Sequence, residues 1–333
     1  MPELASTPAL SVLDLAPVGE GSDAAEALAH SVTLAQRVEQ LGFGRLWVAE
    51  HHNMPGIASS SPAVLIAHLA AATGGIRFGS GGVMLPNHSA LAVAEQFCML
   101  EALHPGRIDL GIGRAPGTDQ RTAAALRRVP GGAEDFPEQM SDLFAYFEGS
   151  HPHITAVPAA GYRPAIWMLG SSDYSARAAG LLGLPFSFAH HFASQHTQAA
   201  VEVYRSSFRP SADLAQPYVM LGVPVICADT DEQAQWLAGS STLAMVRLRL
   251  GRPSVLPRPE TAAAHEFTPM EHDIVRTWQA PLIAGDPEQV RAGLIELADR
   301  TIADELMLTT MVHDPDERLR SFELVAKAFD LPF

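Results

Sequence analysis

The sequence predicts a (β/α)8 barrel carrying two insertions. Short β-rich apolar runs alternate with longer segments of helical periodicity, the signature of parallel strands joined by crossover helices. Eight such strand runs occur, with as many helical segments, in a chain of 333 residues. That length accommodates a barrel of about 250 residues with room for insertions. A doubly wound open sheet is the alternative, but it rarely needs so many units.

The strands are expected at residues 9–15, 45–50, 76–85, 107–113, 165–170, 185–190, 219–228 and 305–311. Helices are expected at 24–41, 62–72, 90–103, 173–182, 195–207, 231–249, 287–300 and 315–329. The first helix shows the reasoning: Leu28, Val32, Leu34, Ala35, Val38 and Leu41 recur at three and four, and Gly42 stops it. Two segments exceed a minimal barrel. Residues 117–137 are polar and arginine-rich, with a break at Pro130-Gly131-Gly132. Residues 251–284 are proline-rich from Pro253 to Pro259 and weakly periodic, the mark of a lid or binding loop. Neither reads as an independent unit, so residues 1–333 are expected to form one domain.

Composition narrows the function. A formal charge of −15 argues against nucleic-acid binding. Lys327 is the only lysine, which leaves no Walker A loop and no convincing Schiff-base lysine. Any phosphate must therefore be held by arginine and backbone N–H groups. Cys98 and Cys227 are isolated, and the N-terminal stretch lacks a basic region, so a cytoplasmic location is expected. The long uncharged stretch from His51 to Ile76 contains Pro55, Pro62 and His68 and does not read as a membrane span.

In a barrel, function gathers where the strands end. The second strand ends Glu50-His51-His52-Asn53; neighbouring residues on a strand point to opposite faces, so both histidines cannot aim into one pocket unless the strand has ended, which counts against a paired metal site. One of them reads as an acid–base group or hydrogen-bond donor, or as a satisfied polar strand end. The third ends Gly79-Ser80-Gly81-Gly82-Val83-Met84, where the glycines mark either a kink or a close approach. The fourth ends Gly111-Ile112-Gly113-Arg114, where the arginine reads as an anion ligand or an ion-pair partner. After the fifth, Gly170-Ser171-Ser172-Asp173 opens a helix and presents N–H groups to a phosphate, unless Ser172 or Asp173 is only its cap. The sixth ends Phe188-Ala189-His190-His191-Phe192, a pocket wall or core packing.

Together these strand ends resemble the bacterial-luciferase-like flavin monooxygenases. The resemblance rests on Leu46-Trp47-Val48-Ala49-Glu50-His51-His52, on Gly79 through Pro86, on Ala94-Glu95-Gln96 and on Leu103 through Arg114, in that order and spacing. It is nearest to the single-chain "group 1" luciferase-like oxidoreductases, with Arg114-Ala115-Pro116-Gly117-Thr118-Asp119 as a typical stretch. It runs from about Leu10 to the C-terminal helix, weakening after Phe192.

The resemblance implies a barrel that binds reduced FMN and reacts with O2 through a C4a-peroxyflavin, oxygenating a small apolar molecule. It places His51 on the family's catalytic histidine and Arg114 on the arginine that grips the FMN phosphate. Gly170, Ser171 and Ser172 fall near its other phosphate ligands, and Gly81-Gly82 on a non-proline cis peptide beneath the flavin. Met84, Phe188, His190 and Phe192 are the expected substrate-pocket residues, and no metal is expected. One departure stands out: Gly113 replaces the reactive cysteine of luciferase's α chain. Light emission is not implied. Without a nicotinamide fingerprint, reduced flavin would come from a separate reductase. A homodimer through the helices after the second and third strands is the family habit. The arginine- and alanine-rich composition suggests a high-G+C genome; the resemblance then implies a role in secondary metabolism, where such organisms use luciferase-like enzymes, with an aromatic polyketide or similar apolar substrate. Hydride transfer using the deazaflavin F420 is one alternative, and a metal-dependent hydrolase using His51, His52, His190 and His191 is another.

Overall fold

In the computed structural model, which describes residues 7–115, 118–127, 135–159 and 161–332, eight parallel strands close into a barrel with helices around it. The first half comprises β1 (Ala9–Asp14), α1 (Ala24–Gln40), β2 (Arg45–Val48), α2 (Pro62–Ala71), β3 (Arg77–Ser80), β4 (Val83–Met84), α3 (Ala90–Leu103), β5 (Ile108–Gly113), α4 (Gln120–Ala125) and α5 (Phe136–Glu148). Next come β6 (Ala165–Gly170), α6 (Asp173–Leu182), β7 (Phe186–Phe188), α7 (His190–Ala193), α8 (Thr197–Ser207), β8 (Val219–Cys227) and α9 (Asp231–Arg249). The chain finishes with α10 (Pro259–Ala263), α11 (Pro269–Gln279), β9 (Ile283–Gly285), α12 (Pro287–Thr301), β10 (Glu305–Thr309) and α13 (Pro315–Ala328). The ring runs β10-β1-β2-β3-β5-β6-β7-β8 and closes where β10 pairs with β8. β4 continues the line of β3 against β5, and β9 pairs with the C-terminal part of β8.

Strand alternation builds the interior in levels. Leu306 and Leu308 of β10 turn outward into the main apolar core, as do Val12, Leu46, Val48, Ile108, Leu110 and Ile112 on other strands. The intervening residues point inward. At the base, Ser11, Arg45, Asp109 and Glu305 form a buried polar layer. Two residues further along, Leu13, Trp47, Trp167, Met220 and Met307 make an apolar layer. Two further still, Leu15, Ala49, Gly113, Leu169, Gly222 and Thr309 line an open cavity. One period-two pattern therefore yields an ionic base, a greasy middle and a hollow top.

The base is tied by charge. Arg45 donates to Asp109 at 2.6 Å and to Glu305 at 2.9 Å, and its guanidinium lies 4.8 Å from the centre of the Trp167 ring. Trp47 Nε1–H donates to Asp109 Oδ2 at 3.0 Å, and Tyr218 Oη–H to Glu305 Oε2 at 2.9 Å. Every one of these buried charges has a partner, as burial demands.

Four expectations need revision. The single strand at 76–85 is two, because the ladder against β5 stops after Gly79 and resumes at Val83, with a cis peptide between Gly81 and Gly82. The strand expected to reach His190 ends at Phe188, and α7 begins at His190. Residues 138–164, left unassigned by the sequence, belong in part to α5, which buries Phe136, Met140, Leu143, Tyr146 and Phe147 and ends at left-handed Gly149. The 251–284 insertion is regular over much of its length, holding α10, α11 and β9. Of the 117–137 insertion, residue 117 and the break at 130–132 lie outside the described residues, whereas 118–127 include α4, capped by Asp119.

Candidate active site

The upper end of the barrel opens into a cavity of about 550 Å3, a common size for a small-molecule site. Leu13, Trp47 and Met307 form its floor, and strand ends form one side. Ser241, Ala244, Met245 and Leu248 of α9 form another, with Pro253, Leu256, Trp278 and Leu282 of the second insertion. Most of this lining is apolar, so a polar group here stands out.

The histidines after β2 lie beyond the end of the strand, and local contacts separate them. His51 lines the cavity, with its backbone N–H donating to Ser59 O at 3.0 Å. Ser59 Oγ–H in turn donates to Ala49 O at 2.5 Å, which fixes the chain as it leaves the strand. His52 turns aside, its Nε2 lying 3.0 Å from Glu50 Oε1. Glu50 is fully buried and saturated: His88 Nε2 approaches to 2.9 Å, Asn87 Nδ2–H donates at 3.3 Å, and the Met84 N–H donates to Oε2 at 3.0 Å. Burial pushes its carboxyl up, but the His88, Met84 and His52 contacts outweigh that and hold it below its usual value. Glu50 thus ties the end of β2 to the segment after β4. Sequence reasoning assigned it no role, although a carboxylate flanked by histidines at a strand end was the available signal.

A second corner gathers hydrogen-bond donors. The Arg114 guanidinium stacks 3.9 Å from the centre of the Tyr174 ring, and Arg114, Gly170, Ser171 and Ser172 all line the cavity. Ser172 is the extended N-cap residue of α6, yet no side chain caps that first turn. Its N–H groups and the positive end of the helix dipole therefore face the same corner as the arginine. Gly170 fits because a Cβ there would collide with Ser175 Oγ, which donates to Ser172 O at 2.8 Å.

Of the expected pocket residues, Met84, Phe188 and Phe192 line the cavity, and Gly81 lies in its floor. Gly82 adjoins through the cis peptide but does not line it. A Cβ on Gly113 would come within 3.0 Å of Met84 Sδ, so glycine at this departure from luciferase leaves Met84 its place. His190 is misplaced by the sequence reading. It is buried away from the cavity, its Nδ1 2.7 Å from Thr197 Oγ1, because the strand ends two residues earlier and α7 turns it outward. The cavity residue is His191, whose Nδ1 lies 3.0 Å from the carbonyl of Gly222. Burial lowers both imidazoles to about 4. Among the described residues, no three His, Cys, Asp or Glu side chains gather in a way that could hold a metal ion.

A flavin mononucleotide meets complementary groups here. The arginine and uncapped helix suit its phosphate, and the apolar floor suits a flat ring system. Thr309 Oγ1, buried in the cavity wall with no partner among the described residues, suits a ring heteroatom.

A closed parallel barrel with an apolar cavity at the C-terminal ends of its strands, and an arginine and a helix start at its edge, has the layout of a TIM-barrel small-molecule site. The chain belongs to the luciferase-like monooxygenase family, whose pattern it matches over residues 9–304. It is 48% identical to a luciferase-like monooxygenase of Escherichia coli (strain K12), over 96% of both chains. The solved structure of apo-MsnO8 superposes with a TM-score of 0.92 at 40% identity, covering 99% of each chain. At 18% identity the fold is shared by a type II Baeyer–Villiger monooxygenase, the oxygenating constituent of 3,6-diketocamphane monooxygenase of Pseudomonas putida, solved with FMN. That match has a TM-score of 0.72 and covers 96% of this chain and 98% of the other. No helix among the described residues is long and apolar enough to cross a membrane.

Proposed function

We propose that the protein is an FMN-dependent monooxygenase that inserts one oxygen atom of O2 into a small, largely apolar organic substrate. The observation that carries this is the anion corner, Arg114 over Tyr174 beside the uncapped start of α6, opening into an apolar cavity that contains His51. The family membership and the FMN held by the diketocamphane monooxygenase of the same fold support it.

Bound in reduced form, FMN would supply the electrons and the reaction with O2. The chain supplies the rest. Arg114 and the N–H groups of α6 anchor the phosphate. Gly81 and Gly113 leave room beside the floor for a planar ring. His51 holds or moves a proton at the cavity, and Glu50 fixes the segments that carry His51 and Met84. The apolar walls of α9 and α11 exclude bulk water. A separate reductase would supply the reduced flavin.

The test is a titration with reduced FMN, under argon, against F420 as competitor. FMN should bind below about 100 μM, within the range of ordinary enzyme KM values. On admission of O2, oxygenated product should then form only when protein, reduced FMN and substrate are all present, because free reduced flavin consumes O2 by itself. Tighter binding of F420, or no flavin binding, overturns the proposal.

A further inference from the structure

Once the cofactor groups are assigned, the cavity retains few polar atoms for recognising a substrate. Arg114 sits in the anion corner, and the Glu50 oxygens are saturated by His52, His88, Asn87 and the Met84 N–H. Apart from His51, the remaining imidazole is His191.

Its protonation state follows from its partner. A carbonyl oxygen can only accept, so the nitrogen 3.0 Å from Gly222 O must be a donor, and Nδ1 carries hydrogen. Burial keeps the ring neutral, with a pKa lowered to about 4, so Nε2 is left with a lone pair. Among the described residues no hydrogen bond holds that Nε2. The chain is shaped for this bond. Gly222 sits mid-strand in fully buried β8, and a Cβ there would come within 2.8 Å of Nδ1, so any other residue would displace the ring. Phe192, with its ring centre 4.2 Å from that of His191 and its side chain half exposed, flanks the imidazole.

We propose that His191 is the substrate-recognising residue, its Nε2 accepting a hydrogen bond from a hydroxyl or N–H of an otherwise apolar substrate. The inference deepens the monooxygenase reading and rests on it for calling the ligand a substrate. A site built to accept a hydrogen bond discriminates strongly against an isostere lacking the donor, because its own polar atom is then left unpaired.

The experiment titrates the FMN-loaded protein with 4-propylphenol and with its methyl ether, 4-propylanisole, by calorimetry. The phenol should bind about 10-fold more tightly than the ether. In His191→Phe both should bind alike, and in His191→Gln, whose amide oxygen can accept, part of the preference should return. Nuclear magnetic resonance of 15N-histidine-labelled wild-type protein gives a reading independent of any variant's folding. The His191 Nε2 signal should be that of an unprotonated nitrogen and should move with the phenol but not with the ether. Equal binding of both probes by wild type, an undiminished preference in His191→Phe, or a protonated Nε2 overturns the inference. FMN affinity is measured separately on each protein. Normal FMN binding without phenol preference refutes only the role of His191, whereas phenol preference without FMN binding refutes only the cofactor.

Discussion

Replacing Arg114 with alanine should cost the protein most of its ability to tell FMN from riboflavin. The two ligands differ only in the phosphate, so their affinity ratio isolates the anion corner. A charge-assisted hydrogen bond to a phosphate oxygen contributes about 1.5–3 kcal/mol, or roughly 10- to 150-fold in affinity. The uncapped start of α6 adds about 0.3–1 kcal/mol and survives the substitution. Arg114→Ala should therefore weaken FMN binding by roughly 10- to 150-fold. Riboflavin binding should stay nearly constant, and a residual preference for FMN of roughly two- to fivefold should remain. The lost stacking on Tyr174, 3.9 Å from the ring centre, is a surface cation–π contact of about 0.5–1 kcal/mol and should move the melting temperature only slightly. Quenching of flavin fluorescence in parallel titrations measures both ligands. If FMN affinity falls less than about twofold, or if riboflavin falls in step with it, the phosphate does not sit against Arg114.

Three further predictions test the frame around the site. Asp109→Ala leaves Arg45 with Glu305 alone, takes a carboxylate from Arg77 and leaves Trp47 Nε1 without its acceptor, so denaturant titration should show a loss of about 3–5 kcal/mol. Because His190 binds its proton at about 4 when folded and near 6.5 when unfolded, its stabilising neutrality is fully present above pH 6.5 and is lost as pH falls toward 4. Wild type should lose about 3 kcal/mol across that window from this group, and His190→Leu should flatten that part of the profile in a pH series of melts. Val64 on α2 and Met99 and Leu103 on α3 are exposed apolar residues on the helices through which a homodimer is proposed to pack, so wild type should sediment as a dimer and Val64→Asp with Leu103→Asp as a monomer; a monomeric wild type refutes the dimer.

The barrel was legible because its strands are short and largely apolar, and because most of them are followed by a segment of clear helical period. What alternation alone could not give was how each strand ends. Gly81-Gly82 interrupts the third strand without any change in its apolar character, so 76–85 reads as continuous. α5 escaped notice because it follows a polar insertion, although Phe136, Met140, Leu143 and Phe147 stand at helical spacing and Gly149 marks its stop. α11 was hidden among prolines, yet Thr268-Pro269-Met270-Glu271 is a complete capping box with proline in the first turn. The cavity wall it contributes, Trp278 and Leu282, was unreadable for that reason.

The two histidine pairs show the same limit at the level of single residues. Each pair divides, one ring toward the cavity and one into the scaffold, although neither pair lies on a strand where alternation would require it. Which member takes which role depends on the residue at which the strand gives way. After β2 the chain leaves the ladder at Val48, and the Ser59 contacts turn the first histidine, His51, inward while Glu50 retains the second. After β7 the ladder ends at Phe188 and α7 starts at once, so the first histidine, His190, is carried out to Thr197 and the second, His191, is left facing Gly222. The deciding partners are Ser59 and Gly222, one beyond the strand end and one on a neighbouring strand. Neither is within reach of a local pattern. A glycine in the middle of a fully buried strand is nevertheless a signal that something approaches it closely. Here that something is the imidazole to which the substrate's hydrogen-bond donor is assigned.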